Sequence, residues 1–408
     1  DISEDKIKLL KDGIIPIYEP GLEELIQKNT KAGRLDFSSN ISKSIKKSEV
    51  IFIAVGTPKG KNGDADLSAI KSVAKVIGEN LNTYKVICTK STVPVGTGKS
   101  IIEIIDNFSN GNIEFDYVSN PEFLREGSAI KDFLWPDRLV VGAESQRAFN
   151  IMKEVYGPLH INDKPSLQTK VVTAEMIKYA SNSFLALKIS YINEIANLCD
   201  MVGADIHQVA NAMGKDGRIS PKFLHPGPGF GGSCFPKDTE AFLALSKQEG
   251  IKLNTIEAAI LTNKNQKALM VKKLRNLVGG NFNELKIAIL GLSFKPNTDD
   301  VRESASINMI KGILIEGGTV RAYDPIANQE MMKIFPNIDY FNKWEDACKN
   351  ADAAVLMTEW NEFRAISIEK LKSLLNSPIL LDTRNVFNIK KLNKFNFIFD
   401  NVGRKKVT

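Results

Sequence analysis

Between Thr173 and Val202 the chain runs for 30 residues without a glycine or a proline, and its apolar positions recur at helical spacing. At 1.5 Å per residue such a helix is a rod of about 45 Å, longer than one ordinary core is wide. The rhythm changes on both sides of it. Before the rod, "EVIFIAVGTP", "YKVICTKSTVP", "FDYVSNPEF" and "DRLVVGA" each hold a short apolar run ending near Gly, Pro, Ser or Asn. Helix-like stretches, "DLSAIKSVAKVIGENL" and "GKSIIEIIDNF", lie between some of them. After it, "LKIAILG", "RESASINMIKGILIEGG" and "TVRAYDP" read as strand, helix, strand, and "ADAAVLMTEW" and "SPILLDTRNVF" add two strands. Short apolar runs alternating with helices are the pattern of parallel strands buried on both faces. The predicted class is α/β: two doubly wound domains joined by helices.

At the start of the rod, Thr173 is expected as N-cap, with Glu175 in an acidic first turn. A second helical block, "TIEAAILTNKNQKALMVKKLRNLVGG", ends on two glycines that suit a C-terminal stop. The length of 408 residues agrees with two or three domains.

Composition removes several function classes. No apolar run reaches the 18 or more residues of a membrane span, and no secretory leader opens the chain, so a cytoplasmic protein off the membrane is expected. The net charge is +6, but its 54 Lys and Arg are scattered. Nucleic-acid binding would want them gathered in a stripe with interleaved aromatics. The four cysteines (Cys88, Cys199, Cys234, Cys348) form no CxxC pair, and His160, His207 and His225 share no ligand spacing, so neither disulfides nor a metal are expected.

Cys88, Cys199 and Cys348 sit in apolar strand or helix patterns and read as small core residues. Cys234 differs. It lies in "PGFGGSCFPKD", where glycines let a ligand approach the backbone closely and no apolar periodicity asks for a core residue. Nucleophile and buried thiol are both open there. The same loop contains "GPGFGG", Gly227 to Gly232, which matches G-x-G-x-x-G. No strand leads into it and no helix is expected directly after it, so it is not read as a dinucleotide fingerprint.

Lys178 and Asn182 are four apart on the rod and share a face, solvated or turned inward. Glu122 and Glu126 follow a strand, as do Thr57 and Thr92. In a doubly wound sheet the loops beyond the strand ends bound the ligand crevice. Lys295, in a strand-to-helix turn followed by Arg302, suits a phosphate-bearing ligand.

Six ordered segments, "IPIYEPGLEELI", "KSTVPVGTG", "SNPEFLREGSAIKDFLWPDRLVVG", "KYASNSFLALKISYINEIA", "GFGGSCFPKD" and "ILGLSFKPNTDDVRES", together resemble the nucleotide-sugar 6-dehydrogenases of the UDP-glucose/GDP-mannose dehydrogenase family. The likeness covers nearly the whole chain. It implies a Rossmann-like NAD-binding domain over residues 1–172, a central helical dimerisation region with the cysteine loop over 173–280, and a UDP-sugar-binding α/β domain over 281–408. It also implies that a Gly-rich pyrophosphate loop with its first strand, roughly 28 residues, belongs ahead of Asp1.

The implied activity is an NAD-dependent twofold oxidation of a sugar C6 alcohol to a carboxylate, UDP-glucose to UDP-glucuronate. The alternatives are a sister substrate (GDP-mannose or a UDP-N-acetylhexosamine) or non-catalytic nucleotide-sugar binding. By resemblance, Cys234 attacks the C6 aldehyde, Asp238 orients or activates water, and Lys178 and Asn182 stabilise oxyanion character. Glu122 serves as base in thioester hydrolysis, with Thr92 placing a water. NAD is implied to meet Asp1, Lys6, Thr57, Thr92, Glu126, Lys237 and Arg302. The UDP-sugar is implied to meet Glu122, Phe123, Leu124, Arg125 and Glu126, then Lys178 and Asn182, and also Phe223, Leu224, Phe230, Gly231, Lys295 and Arg384. Arg218 resembles an arginine that reaches a neighbouring subunit's substrate, which implies a homodimer or larger homo-oligomer. His225 is given no chemistry.

Overall fold

The computed structural model describes residues 1–60, 63–109, 111, 113–159 and 166–404; His160 lies outside them. Contacts divide the chain into two compact units. One is Asp1–Asn182 with Glu240–Lys252, the other Ser183–Thr239 with Leu253–Thr408.

In the first unit, strands β1 (Val50–Ile53), β2 (Lys85–Thr89), β3 (Phe115–Ser119), β4 (Leu139–Gly142) and β5 (Ser166–Thr169) form one sheet in that order. β1, β2 and β3 are parallel. β4 departs from the parallel expectation: it meets β3 antiparallel at Ser119–Gly142 and then pairs with β5 in parallel. β2 is buried along its whole length, whereas β1, at the sheet edge, leaves Phe52 40% exposed. Ile53, Ile87 and Tyr117 face the helices Ser68–Asn80 and Thr97–Ser109. Their stripes, Ile70–Ala74–Ile77 and Ile101–Ile105, carry the i, i+3 and i, i+4 spacings that put apolar side chains on one face. Gly78 lets the two helices cross closely, since a Cβ there would lie 2.8 Å from the Ile105 carbonyl. Val86, Cys88, Val118 and Val141 face the helix Gln146–Tyr156 on the other side.

In the second unit, β6 (Lys286–Leu290), β7 (Thr319–Tyr323), β8 (Asp339–Tyr340), β9 (Ala353–Leu356), β10 (Ile379–Asp382) and β11 (Ile398–Asn401) make a parallel sheet ordered β11-β10-β9-β6-β7-β8. Counted from β6, that is the 3-2-1-4-5-6 order of a dinucleotide-binding fold. Ile287 and Ile289 point to one face, against Met270 and Leu274 of the helix Asn254–Leu277 and Met309, Ile310 and Ile313 of the helix Ala305–Ile315. Ala288 and Leu290 point to the other, against Trp344, Cys348 and Phe363. Alternation along a strand buried on both faces explains why β6 reads as a continuous apolar run.

The long helix runs from Val171 to Val202, 32 residues. It starts before the expected Thr173 cap, because the Lys170 carbonyl already accepts from Thr173 and Ala174 amides at 3.1 and 3.0 Å. The helix Asn254–Leu277 stops as predicted: Gly279 and Gly280 take φ of +94° and +113°, and the Gly280 amide returns to the Arg275 carbonyl. The glycine loop differs from expectation in one respect. No strand leads into it, but the helix Phe235–Gln248 begins only three residues after Gly232.

Candidate active site

In the first unit the candidate residues gather on the loops beyond β1, β2 and β3. The Thr57 hydroxyl donates to the Thr92 carbonyl at 2.9 Å and ties the first two loops together. The Thr92 loop is fixed from behind by Glu175, whose carboxylate accepts the Gly96 amide at 2.7 Å and the Gly98 amide at 2.8 Å. Burial raises this carboxyl above its ordinary value while the two amide bonds pull it back. The Lys90 ammonium is held by Asn120 Oδ1 at 3.1 Å and the Tyr156 hydroxyl at 3.2 Å, and burial pushes its pKa down.

Lys178 and Asn182 both face inward, 3% and 6% exposed. Lys178 donates to the Glu122 carbonyl and lies 3.2 Å from its carboxylate. Lys178 and Arg138 also approach the Phe123 ring, at 5.2 and 3.7 Å from its centre. Glu122 to Gly127 is irregular chain, and no helix starts before Ala129. The Glu122 carboxylate accepts the Leu124 amide at 2.5 Å. The exposed Arg125 pairs with Asp132 at 2.6 Å, and Glu126 is half-buried beside it. Glu19 pins this segment by accepting the Gly127 and Ala129 amides at 2.7 and 2.8 Å. Asp1 and Lys6 are exposed; the Asp1 carboxylate accepts the Ser3 amide at 2.9 Å.

In the second unit the glycine loop ends at a helix cap. The Cys234 carbonyl accepts the Asp238 amide at 2.8 Å, which makes Cys234 the residue that opens the helix Phe235–Gln248. Pro236 causes no break, since an amide in the first turn needs no helical partner. The thiol is half-buried, 3.5 Å from the Ser233 hydroxyl, whereas Cys88, Cys199 and Cys348 are buried in cores. Burial pushes the Cys88 and Cys348 thiols up to about 12. Asp238, one turn on, is fully buried and takes the Lys237 ammonium at 2.6 Å.

The Phe235 ring meets Phe230 edge-on at 6.1 Å and Phe223 at 6.0 Å. Phe223 holds φ of +66°, an unusual setting for a bulky side chain, and Leu224 beside it is buried. Gly231 and Gly232 are glycines of necessity. A Cβ on Gly231 would lie 2.4 Å from the Glu303 carbonyl oxygen, and one on Gly232 (φ +80°) 2.7 Å from the Phe294 ring.

Arg384 donates to the Met357 and Phe294 carbonyls at 2.8 and 2.9 Å and lies against Gly227. Its neighbour Lys295 sits 5.3 Å over the Phe294 ring. Asp324, at the end of β7, organises this turn: one buried carboxylate accepts the Leu292, Ser293, Ile326 and Ala327 amides, the Ser293 hydroxyl and the Trp360 indole. Arg302 is held by Asp300 at 2.7 and 2.8 Å. Arg218 is exposed and paired with Asp216 at 2.6 Å.

Four contributing residues were not picked out from the sequence. Glu175 was read as a first-turn acid, and Glu19 carried no spacing signal. Asn263 and Gln266 stand where the apolar stripe of their helix should continue; polar residues at buried helical spacing are the cue for them.

Among the described residues no group of three His, Cys, Asp or Glu could hold a metal ion, and no helix is long and apolar enough to cross a membrane. Residues 1–160, 172–265 and 288–389 match the NAD binding, central and UDP binding domains described for the UDP-glucose/GDP-mannose dehydrogenase family. The chain is 47% identical over 408 residues to UDP-glucose 6-dehydrogenase TuaD of Bacillus subtilis, covering all of this chain and 88% of that protein. It is 45% identical to UDP-glucose 6-dehydrogenase of Rhizobium meliloti, covering 99% of this chain and 93% of the relative. A UDP-glucose dehydrogenase structure from the hyperthermophilic archaeon Pyrobaculum islandicum superposes with a TM-score of 0.92 at 33% identity, covering 99% of this chain and 91% of that one. With all three domain descriptions matched in order along its length, the chain belongs to the UDP-glucose/GDP-mannose dehydrogenase family.

Proposed function

We propose that the chain oxidises UDP-glucose to UDP-glucuronate in two NAD-dependent steps, with Cys234 as the covalent nucleophile. The observation that carries the reading is the setting of Cys234: a half-buried thiol at the amino end of a 14-residue helix, framed by glycines, with buried Asp238 one turn away. Helix amino termini favour negative charge, and the thiolate is the reactive form of cysteine.

The residues present fit the cofactor. The loops after β1 and β2, joined through Thr57 and Thr92, lie at the carboxyl ends of strands, where doubly wound sheets take nucleotides. Thr57, Thr92 and Glu126, with Asp1, Lys6, Lys237 and Arg302, are the proposed contacts. NAD supplies the hydride acceptor for both oxidations.

In the first oxidation the C6 alcohol loses a proton and a hydride to give the aldehyde. The Cys234 thiolate then adds to the aldehyde carbon, forming a C–S bond and a thiohemiacetal. Lys178 and Asn182 donate to its oxygen while charge builds there, a task for preorganised donors. Loss of a second hydride gives a thioester. Water activated by Asp238 or Glu122 and placed by Thr92 cleaves the C–S bond, releasing the carboxylate and restoring the thiol. The balance is one UDP-glucose, two NAD⁺ and one water to one UDP-glucuronate, two NADH and three protons.

Phe123, Leu124, Arg125 and Glu126, with Phe223, Leu224, Phe230, Gly231, Lys295 and Arg384, are the proposed substrate contacts. Asp324 supports the turn that leads to Lys295. A homodimer is supported by the long helix, which exposes Phe184, Tyr191 and Leu198 at seven-residue spacing (60%, 46% and 57% exposed). Exposed Arg218 is the residue proposed to reach a neighbouring copy's substrate. Leu198→Glu is expected to dissociate the oligomer on size exclusion with light scattering.

The deciding experiment counts NADH per UDP-glucose in the full-length protein, with GDP-mannose alongside. Two NADH per UDP-glucose is expected. Turnover of GDP-mannose, or of a UDP-N-acetylhexosamine run as a further arm, without UDP-glucose would move the assignment to a sister substrate, and turnover of none of the three would end the catalytic reading.

A further inference from the structure

The loop that carries Cys234 is held by side-chain amides from two helices in the second unit. The Gly227 amide donates to Asn193 Oδ1 at 2.8 Å, and the Gly227 carbonyl accepts from Gln266 Nε2 at 2.8 Å. The Phe230 amide donates to Asn263 Oδ1 at 2.7 Å, and the Phe230 carbonyl accepts from Asn263 Nδ2 at 3.0 Å. Both backbone groups of both residues are thus satisfied, as a neighbouring strand would satisfy them. Gln266 is itself set by Asn197, which donates to its Oε1 at 2.8 Å. The next side chain on that helix face, Lys267, donates to the Glu303 carbonyl at 2.7 Å, the same oxygen that Gly231 lies against. All three amide residues are buried: Asn193 0%, Gln266 1% and Asn263 7% exposed.

Generic core packing does not require this. Three amides placed on apolar stripes are a fold-level expense unless the loop they hold must keep one conformation. The hold reaches Cys234 through two rings: Phe230, whose backbone is clamped, meets Phe235 edge-on, and Phe235 is the first residue of the helix that Cys234 opens.

We propose that Asn263, Gln266 and Asn193 are positioning residues for the nucleophile, an amide clamp that keeps Cys234 at the amino end of its helix. None of the three needs to touch substrate or cofactor. The inference rests on the reading of Cys234 as nucleophile, and it deepens that reading by naming what sets the thiol's reactivity. If the clamp is released, the sulfur is no longer confined where the helix amides favour its anion. The thiolate fraction at neutral pH then falls, while at alkaline pH every exposed thiol is ionised and nothing is lost.

Two variants test this. Asn263→Asp keeps an acceptor for the Phe230 amide but sets an oxygen against the Phe230 carbonyl. Gln266→Met keeps the shape and removes both bonds. The readout is the rate of Cys234 alkylation by iodoacetamide, mapped by peptide mass spectrometry at neutral and alkaline pH. Turnover is not needed. The buried Cys88, Cys199 and Cys348 report any unfolding. Neutral-pH labelling is expected to fall about fivefold or more, with the alkaline rate changed less than about twofold, because a thiol leaving a helix amino terminus loses thiolate rather than access. Equal rates at both pH values in the folded variants would overturn the clamp. If Asn263→Asp labels at the buried cysteines, Gln266→Met decides by the same criterion. Failure of the underlying reading is separate: Cys234→Ala with undiminished NADH formation would remove the nucleophile and leave the labelling result standing.

Discussion

Glu175, near the start of the long helix, binds the amino end of another helix: its two carboxylate oxygens take the Gly98 and Gly96 amides at 2.8 and 2.7 Å. These are amides that the helix Thr97–Ser109 cannot satisfy itself. Gly98 is also close-packed, for a Cβ there would lie 2.6 Å from Val171 and 2.7 Å from the Tyr117 ring. Glu175→Gln leaves one of the two amides facing an NH₂ group. A buried unsatisfied amide costs about 1–3 kcal/mol, so the urea midpoint should fall, and the KM for NAD should rise because Thr92 rides on this loop. Unchanged midpoints would mean that the contact contributes nothing.

The two oxidations separate by substitution. On the proposed route Cys234→Ala removes the covalent step but not the first hydride loss, so it should give at most one NADH per UDP-glucose and accumulate the aldehyde. Lys178→Met, by contrast, removes the proposed donor to the developing oxyanion. Its kcat should fall by about 10²–10³ with little change in substrate KM, the size seen when one such donor is lost. Stopped-flow absorbance at the NADH band, with the sugar product identified by mass spectrometry, measures both. Full turnover to the acid by Cys234→Ala would exclude the thioester route.

Gly231→Ala places a methyl group 2.4 Å from the Glu303 carbonyl oxygen and 2.9 Å from its carbon, neither of which is a side-chain end that can swing away. Overpacking of this kind costs about 1–3 kcal/mol. The loop at Gly231 is expected to move. UDP-sugar protection of Cys234 against iodoacetamide should therefore weaken about tenfold or more, while NAD affinity stays put. Retained protection would show that the wall at Glu303, not the loop, yields.

Strands buried on both faces were legible because a period-2 face requirement applied twice leaves an unbroken apolar run; β2 and β6 are such runs. β5, "SLQT", is exposed along most of its length and carries no such signal. β8, two residues long, carries none either. The helix after Cys234 was hidden by glycines ahead of it and by Pro236, which punctuates a sequence but is tolerated in a first turn. Thr57 with Thr92, and Lys178 with Glu122, were each legible as residues at strand ends or on one helix face; their contacts are made by the fold. The partners of Glu175 and Asn263 were illegible for a different reason, although a polar residue at a buried helical position marks Asn263 itself. These partners are backbone groups 77 and 33 residues away, and a backbone amide leaves no mark in a sequence.

Asp382 gives the chain a pH signature. It is buried at the end of β10, where burial raises its carboxyl from 3.8 to about 6 against the pull of the Phe387, Arg384 and Val386 amides and the Arg404 charge. Because the folded value lies above the unfolded one, the folded state binds more protons between those two values. Stability from this group is therefore fully present below pH 3.8 and is lost as pH rises through about 6. A pKa rise of that size corresponds to about 3 kcal/mol over the window. Asp382→Asn cannot titrate, so its stability relative to the parent should improve by about that amount between pH 4 and pH 7. Denaturation followed by tryptophan fluorescence in a Trp135→Phe background leaves Trp344 and Trp360, both in the unit that contains Asp382. Parallel pH–stability curves for parent and variant would show that Asp382 stays ionised in the fold, and that the amides around it outweigh its burial.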